Sequence, residues 1–117
     1  MVKIPRLNFY RKGVTFEYCV RDFFRKKGYY CSRSPASKFP DLIIISPEGQ
    51  ACFIECKNQK IVPKDLTRLL SGEEYEQALK LINDYKIPFF LFYKENHKMK
   101  AVAIGGKGVV LLEELGF

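Results

Sequence analysis

The 117-residue chain has no tryptophan, a single histidine and no long uninterrupted apolar run. Each shortage removes a class of function. His97 stands in a polar turn, Lys-Glu-Asn-His-Lys, where it reads as a solvated loop residue. One such histidine leaves no material for His-based nuclease chemistry or a Ser-His-Asp triad. No apolar run approaches the roughly 20 residues that a bilayer-spanning helix needs. The N-terminus, MVKIPRLNFYRKG, is basic but lacks the apolar stretch of a signal peptide, so an intracellular protein without membrane attachment is expected. The four cysteines, Cys19, Cys31, Cys52 and Cys56, show no Cys-x-x-Cys spacing, and each falls in a segment that reads as core. Buried free thiols are therefore expected, not zinc ligands or disulfides.

A hydrophobic content of 47% argues against disorder, and the length suits one domain spanning 1–117. Acid is scarce at one end only. Residues 1–40 carry ten Lys or Arg against two acids, Glu17 and Asp22, a net of +8; the remainder nets −1. All of the excess positive charge therefore lies in the first third. That asymmetry suits a polyanion partner, although an idle solvated basic face has the same composition. An anionic membrane surface is the weaker fit, because no long basic amphipathic helix stands apart from the core.

Periodicity supplies the elements. In the segment from Thr15 to Gly28, Phe16, Cys19, Val20, Phe23 and Phe24 share one helical face, with Glu17 on its flank and Gly28 as the C-terminal stop. Tyr29–Arg33 reads as a short strand and Ser34–Lys38 as a loop. The stretch FPDLIIISPEGQACFIECK reads as two strands joined by a turn. Leu66–Leu70 is expected to be a short helical or irregular link. The segment GEEYEQALKLINDYKIP is a second helix, with Tyr75, Ala78, Leu79, Ile82 and Tyr85 inward and its end before Pro88. PFFLFY and KAVAI are strands joined by a polar turn, and the tail VVLLEELGF fits strand or short helix. The sum is an α/β domain with a mixed sheet of about five strands flanked by helices.

The turn between the two central strands fixes their register. Pro47-Glu48-Gly49 fits a three-residue loop, a type I turn closed by glycine in the left-handed region. Ser46 then pairs with Gln50, and Asp41 falls opposite Glu55. The period of two puts Asp41, Glu55 and Lys57 on one face. Carboxylates about 5 Å apart across a strand pair repel. A cation between them would resolve the repulsion, and hard oxygen ligands favour Mg²⁺, with Mn²⁺ as a substitute. The competing reading is a surface Glu–Lys pair beside a strand-end Asp.

Pro40-Asp41, a hairpin and Glu55-Cys56-Lys57 resemble the PD-(D/E)XK pattern of the restriction-endonuclease-like nucleases. With Arg-Lys-Gly at 11–13, the helix acid Glu17 and RSPASKFPDLI, the chain is similar over residues 11–57 to the archaeal-type Holliday junction resolvases. Cys56 departs from that family, which usually has Val there. The resemblance implies a restriction-endonuclease-like core and a Mg²⁺-dependent endonuclease that resolves four-way DNA junctions as a homodimer. It implies Asp41 and Glu55 as metal ligands, Glu17 as a further ligand or acceptor, and Lys57 beside the attacking water. Ser37 would contact phosphate near the site, and Arg11, Lys12, Arg33 and Lys38 would hold the DNA backbone. Gln77, exposed on the second helix, matches an auxiliary polar position of the superfamily or is an ordinary surface glutamine. A different PD-(D/E)XK nuclease (repair, restriction-type or RNA-processing) and a non-catalytic nucleic-acid-binding module remain as alternatives. Dimerisation has a second motive in the sequence. Phe89, Phe90 and Phe92, with Val109, Val110, Leu111, Leu112, Leu115 and Phe117, concentrate apolar surface in the last third. Covering only one face of these elements would leave a patch too large for a monomer.

The basic third generates a direct test. Replacing Arg11, Lys12, Arg33 or Lys38 with alanine should each lower the log–log salt slope of DNA binding by about one, with a similar loss of affinity across DNA sequences. An unchanged slope in the quadruple alanine variant would mean that the basic excess is only a solvated face.

Overall fold

Phe16, Val20 and Phe24 recur every four positions, so one stripe of a helix is apolar, and all three are buried. In the computed structural model this helix, α1, spans Asn8–Lys26, beginning well before the periodic stretch. The structure describes residues 8–34, 38–105 and 109–110, with the side chains of 15–34 and 38–105. Gly28 ends the helix at φ 84°. The Gly28 N–H donates to the Arg25 carbonyl and the Tyr29 N–H to the Phe24 carbonyl, which satisfies two carbonyls of the last turn. Cys19 departs from expectation: it is exposed at the rim of the stripe, while Cys31 is buried and Cys52 and Cys56 are half-buried.

Among the described residues, six strands form one sheet in sequence order, β1 (Tyr30–Arg33), β2 (Leu42–Ile45), β3 (Ala51–Lys57), β4 (Phe89–Glu95), β5 (Lys98–Ala103) and β6 (Val109–Val110). All neighbours are antiparallel except β3 and β4, which run parallel and need a crossover. That crossover holds a short 3-10 helix, Leu66–Leu69, and then α2, Gly72–Tyr85. Ser71 opens α2 with a capping box. Its hydroxyl accepts the Glu74 N–H, and the Glu74 carboxylate accepts the Ser71 N–H. The helix stops at Lys86, left-handed at φ 58°, two residues before Pro88.

The two helices cover opposite faces. Phe16, Val20 and Phe24 of α1 pack on Leu42, Ile44, Ile54, Phe90 and Phe92, and Ala78 of α2 packs with Phe53, Leu91, Tyr93 and Val102. Consecutive residues of β4 alternate between these clusters, so Phe89–Tyr93 is buried on both sides, as a strand in a parallel pair commonly is. This takes Phe89, Phe90 and Phe92 out of the expected apolar patch, because they are consumed inside their own chain; the side chains of its other members, Val109, Val110, Leu111, Leu112, Leu115 and Phe117, lie outside the described ones. Tyr85, expected inward, is 62% exposed at the last turn of α2. Val109 and Val110 pair with β5, which makes the start of the tail a strand; Leu111–Phe117 lie outside the described residues.

Candidate active site

The register inferred from the Pro47–Gly49 turn is the one the sheet adopts. The Ser46 N–H donates to the Gln50 carbonyl at 2.8 Å, Gly49 has φ 90°, and Leu42 pairs with Ile54. β2 begins at Leu42, so Asp41 lies one residue before the strand and its main-chain N–H is left without a ladder partner. That N–H donates to Glu55 Oε1 at 3.0 Å, and Asp41 Oδ2 accepts the Cys56 N–H at 2.9 Å. Glu55 thus accepts from the Asp41 main chain, and Asp41 from the main chain of Cys56, the residue after Glu55. Main-chain donors thereby already offset part of the repulsion that a cation was expected to resolve.

Strand alternation places the rest. Phe53 faces α2 and Ile54 faces α1, so Glu55 and Lys57 project toward α2 while Cys56 packs into the α1 cluster. The Cys56 side chain therefore answers to packing, on the face away from the acids. Lys57 Nζ lies 3.1 Å from both carboxylate oxygens of Glu74 and 3.5 Å from Glu55 Oε2. The loop entering Asp41 is tied down at Ser34, whose N–H donates to the Asp41 carbonyl and whose hydroxyl donates to the Pro40 carbonyl.

Glu17 arrives from the opposite layer. On α1 it pairs with Arg33 at the end of β1, and it also bears on the Asp41 carboxyl. Tyr18 is flanked by two guanidinium groups, Arg21 at 4.4 Å and Arg33 at 4.8 Å from the ring centre. Lys38 is exposed. Arg11 and Lys12 lie on α1, but their side chains fall outside the described ones, as does Ser37 entirely. Gln77 is exposed and lines a groove of about 300 Å³ with Phe39, Lys80 and Tyr85, apart from the acids. Among the described residues, no three His, Cys, Asp or Glu side chains converge to hold an ion. Glu17 is drawn to Arg33, and Glu55 spends its oxygens on the Asp41 N–H and Lys57.

Sequence reasoning missed Glu74. Its spacing from Ser71 signals a capping box, which explains the residue locally and gives no hint that its carboxylate also meets Lys57. The Glu17–Arg33 pair was equally hidden, since it joins a helix to a sheet edge.

Burial sets the electrostatics. Glu55 is 5% exposed, and burial, then the Asp41 charge, push its carboxyl up to about 8 against the pull of Lys57. Burial likewise raises Asp41 to about 6; the Cys56 N–H opposes this and the Glu17 charge adds to it. For Lys57, burial disfavours the charge, but the Glu74 hydrogen bond and then Glu55 outweigh it, and its pKa rises.

No protein-family model matches the chain, and no curated protein matches it in sequence. Among solved structures it is similar to Hjc, a Holliday junction resolvase from the archaeal hyperthermophile Archaeoglobus fulgidus. The TM-score is 0.69 at 17% identity, over 89% of this chain and 94% of that one. The likeness is one of fold. This chain shares the fold of that resolvase.

Because folding raises both carboxyl pKa values, the metal-free fold keeps its full stability below the ordinary carboxyl range. It loses stability as pH climbs through about 6 and then about 8. Thermal melts in EDTA should give a Tm several degrees higher at pH 5 than at pH 8.5, and Glu55→Gln should remove most of the difference. A Tm that rises across this interval would contradict the assignment of both carboxyls.

Proposed function

We propose that this chain is a metal-dependent endonuclease that cuts four-way DNA junctions. The observation that carries the reading is the hydrogen-bonded Asp41–Glu55 pair, with Glu55 buried, Asp41 half-buried and Lys57 on the same side. A module that only bound DNA would gain nothing from setting two such acids side by side where phosphate must approach. The fold shared with a junction resolvase supports the substrate class, and the basic first third supplies the charge for it.

The donor set suits Mg²⁺, which is commonly held by one or two carboxylates with substrate phosphate oxygens and not by a complete protein cage. Asp41 and Glu55 would be those carboxylates, with Glu17 as an outer acceptor. When bound, such an ion supplies the acidity that converts a water to a nucleophile and offsets charge on the phosphate. The chain does the rest. Asp41 and Glu55 would have to be deprotonated to serve as ligands of the ion. Lys57, held near Glu55, directs a donor at the attacking water or at the charge that builds on the phosphate oxygens. Arg33, at the edge of the same site, can exchange Glu17 for a phosphate, and Arg11, Lys12, Lys38 and the Ser37 hydroxyl would extend that contact along the backbone.

A four-way junction is resolved by paired nicks on strands related by an approximate two-fold axis. One chain offers one centre, so a symmetric homodimer is the economical solution.

Asp41→Asn, Glu55→Gln and Lys57→Ala should each abolish Mg²⁺-dependent cleavage of a labelled four-way junction. Binding should survive, and the acid substitutions should tighten it by removing charge that repels phosphate. Linear duplex and single strand serve as comparison substrates, and EDTA as the metal-free control. On a plasmid cruciform the wild type should give linear product through two nicks in one encounter. Near-normal cutting by Asp41→Asn would sink the site, and a monomer that accumulates only nicked circles would sink the dimer.

A further inference from the structure

Lys57 presents a problem that the catalytic assignment alone leaves open. Its charge sits on a flexible four-carbon stem at the last residue of β3, and a lysine free to rotate aims its ammonium poorly. Glu74 addresses this from the other layer. It occupies the third position of α2, where the capping box fixes its carboxylate: Oε1 accepts the Ser71 N–H at 2.9 Å while the Glu74 N–H donates to the Ser71 hydroxyl at 3.0 Å. Both carboxylate oxygens then lie 3.1 Å from Lys57 Nζ. Neither partner is a loose surface charge, since the side chains are 23% and 27% exposed. The ammonium is therefore held between a sheet acid, Glu55, and a helix acid, Glu74.

We propose that Glu74 is a positioning residue for Lys57. It uses the N-terminal cap of α2 to fix the ammonium beside Glu55 and supplies a counter-charge that stays in place when Glu55 is committed to other partners. This rests on the catalytic reading of Lys57 given above. An ordinary cap would need only a hydrogen-bond acceptor at this position. The geometry goes further, because the same carboxylate closes the cap and meets Lys57 with both oxygens.

The two roles separate chemically. A capping box accepts Gln as well as Glu at its third position, so Glu74→Gln keeps the cap and removes the charge from Lys57. Ser71→Ala does the reverse. Glu74→Gln should lower Tm only slightly, through the lost ion pair to Lys57, and keep junction affinity in EDTA equal or tighter, yet slow single-turnover cleavage by roughly tenfold to a hundredfold, the scale of a misplaced catalytic group. In heteronuclear NMR of the wild type, the Lys57 ammonium, shielded from exchange by two carboxylates, should give a resolved signal that Glu74→Gln loses. Ser71→Ala should lower Tm while keeping both the cleavage rate and the ammonium signal. Wild-type cleavage by Glu74→Gln, or an equal slowing by Ser71→Ala, would overturn the proposal. If the wild type itself cuts no branched DNA, the functional reading fails, and the ammonium signal alone decides whether Glu74 holds Lys57.

Discussion

The pair of hydrogen bonds that ties Asp41 to Glu55 and Cys56 is the constraint on which the rest of this structure depends. It exists because a three-residue turn sets a register, and a shift of one residue would carry Glu55 and Lys57 to the α1 face. There they would meet Phe16, Val20 and Phe24, and the acids would be buried in hydrocarbon. The turn thus decides both which residues build the core and which are left at the strand ends for chemistry. The Asp41 N–H, freed by the late start of β2, becomes a donor to the Glu55 side chain.

The same arrangement sets stability against function. A fold optimised only for stability would not place a nearly buried glutamate against an aspartate. Here the cost is limited in three ways. Main-chain N–H groups cap each carboxylate, Lys57 lies near one of them, and protonation near neutral pH relieves the rest. Each compensation is of a kind that an approaching cation and phosphate can replace. The two layers also meet here, since α1 delivers Glu17 with its Arg33 partner and α2 delivers Glu74. The site is held by tertiary contacts from both faces of the sheet, although the motif itself comes from a single hairpin.

What was legible in the sequence follows from range. The turn residues Pro47 and Gly49 impose their geometry locally, so the strand register and the Asp41–Glu55 opposition could be read directly. The α1 stripe was legible for Phe16, Val20 and Phe24, whose spacing is helical, but not at Cys19, which sits on the rim where periodicity no longer discriminates. The parallel β3–β4 pair was not legible. Its sign is a strand buried on both faces, and Phe89–Tyr93 read in isolation is equally an edge strand awaiting a partner. That ambiguity is what put Phe89, Phe90 and Phe92 in the expected apolar patch. Glu74 escaped because a local explanation, the cap, already accounted for it, and the Arg33–Glu17 pair because nothing in either segment names its partner.

The central claim is that Asp41 and Glu55 trade protons for a divalent ion at the scissile phosphate, and metal-linked proton release tests it most directly. Mg²⁺ would be titrated calorimetrically at pH 7 into the protein saturated with a non-cleavable four-way junction, in buffers of different ionisation enthalpy. Displacement of the proton held by Glu55 predicts release of about one proton per site, abolished by Glu55→Gln. Saturable binding with no proton release, or the same release from the Glu55→Gln variant, would contradict the account.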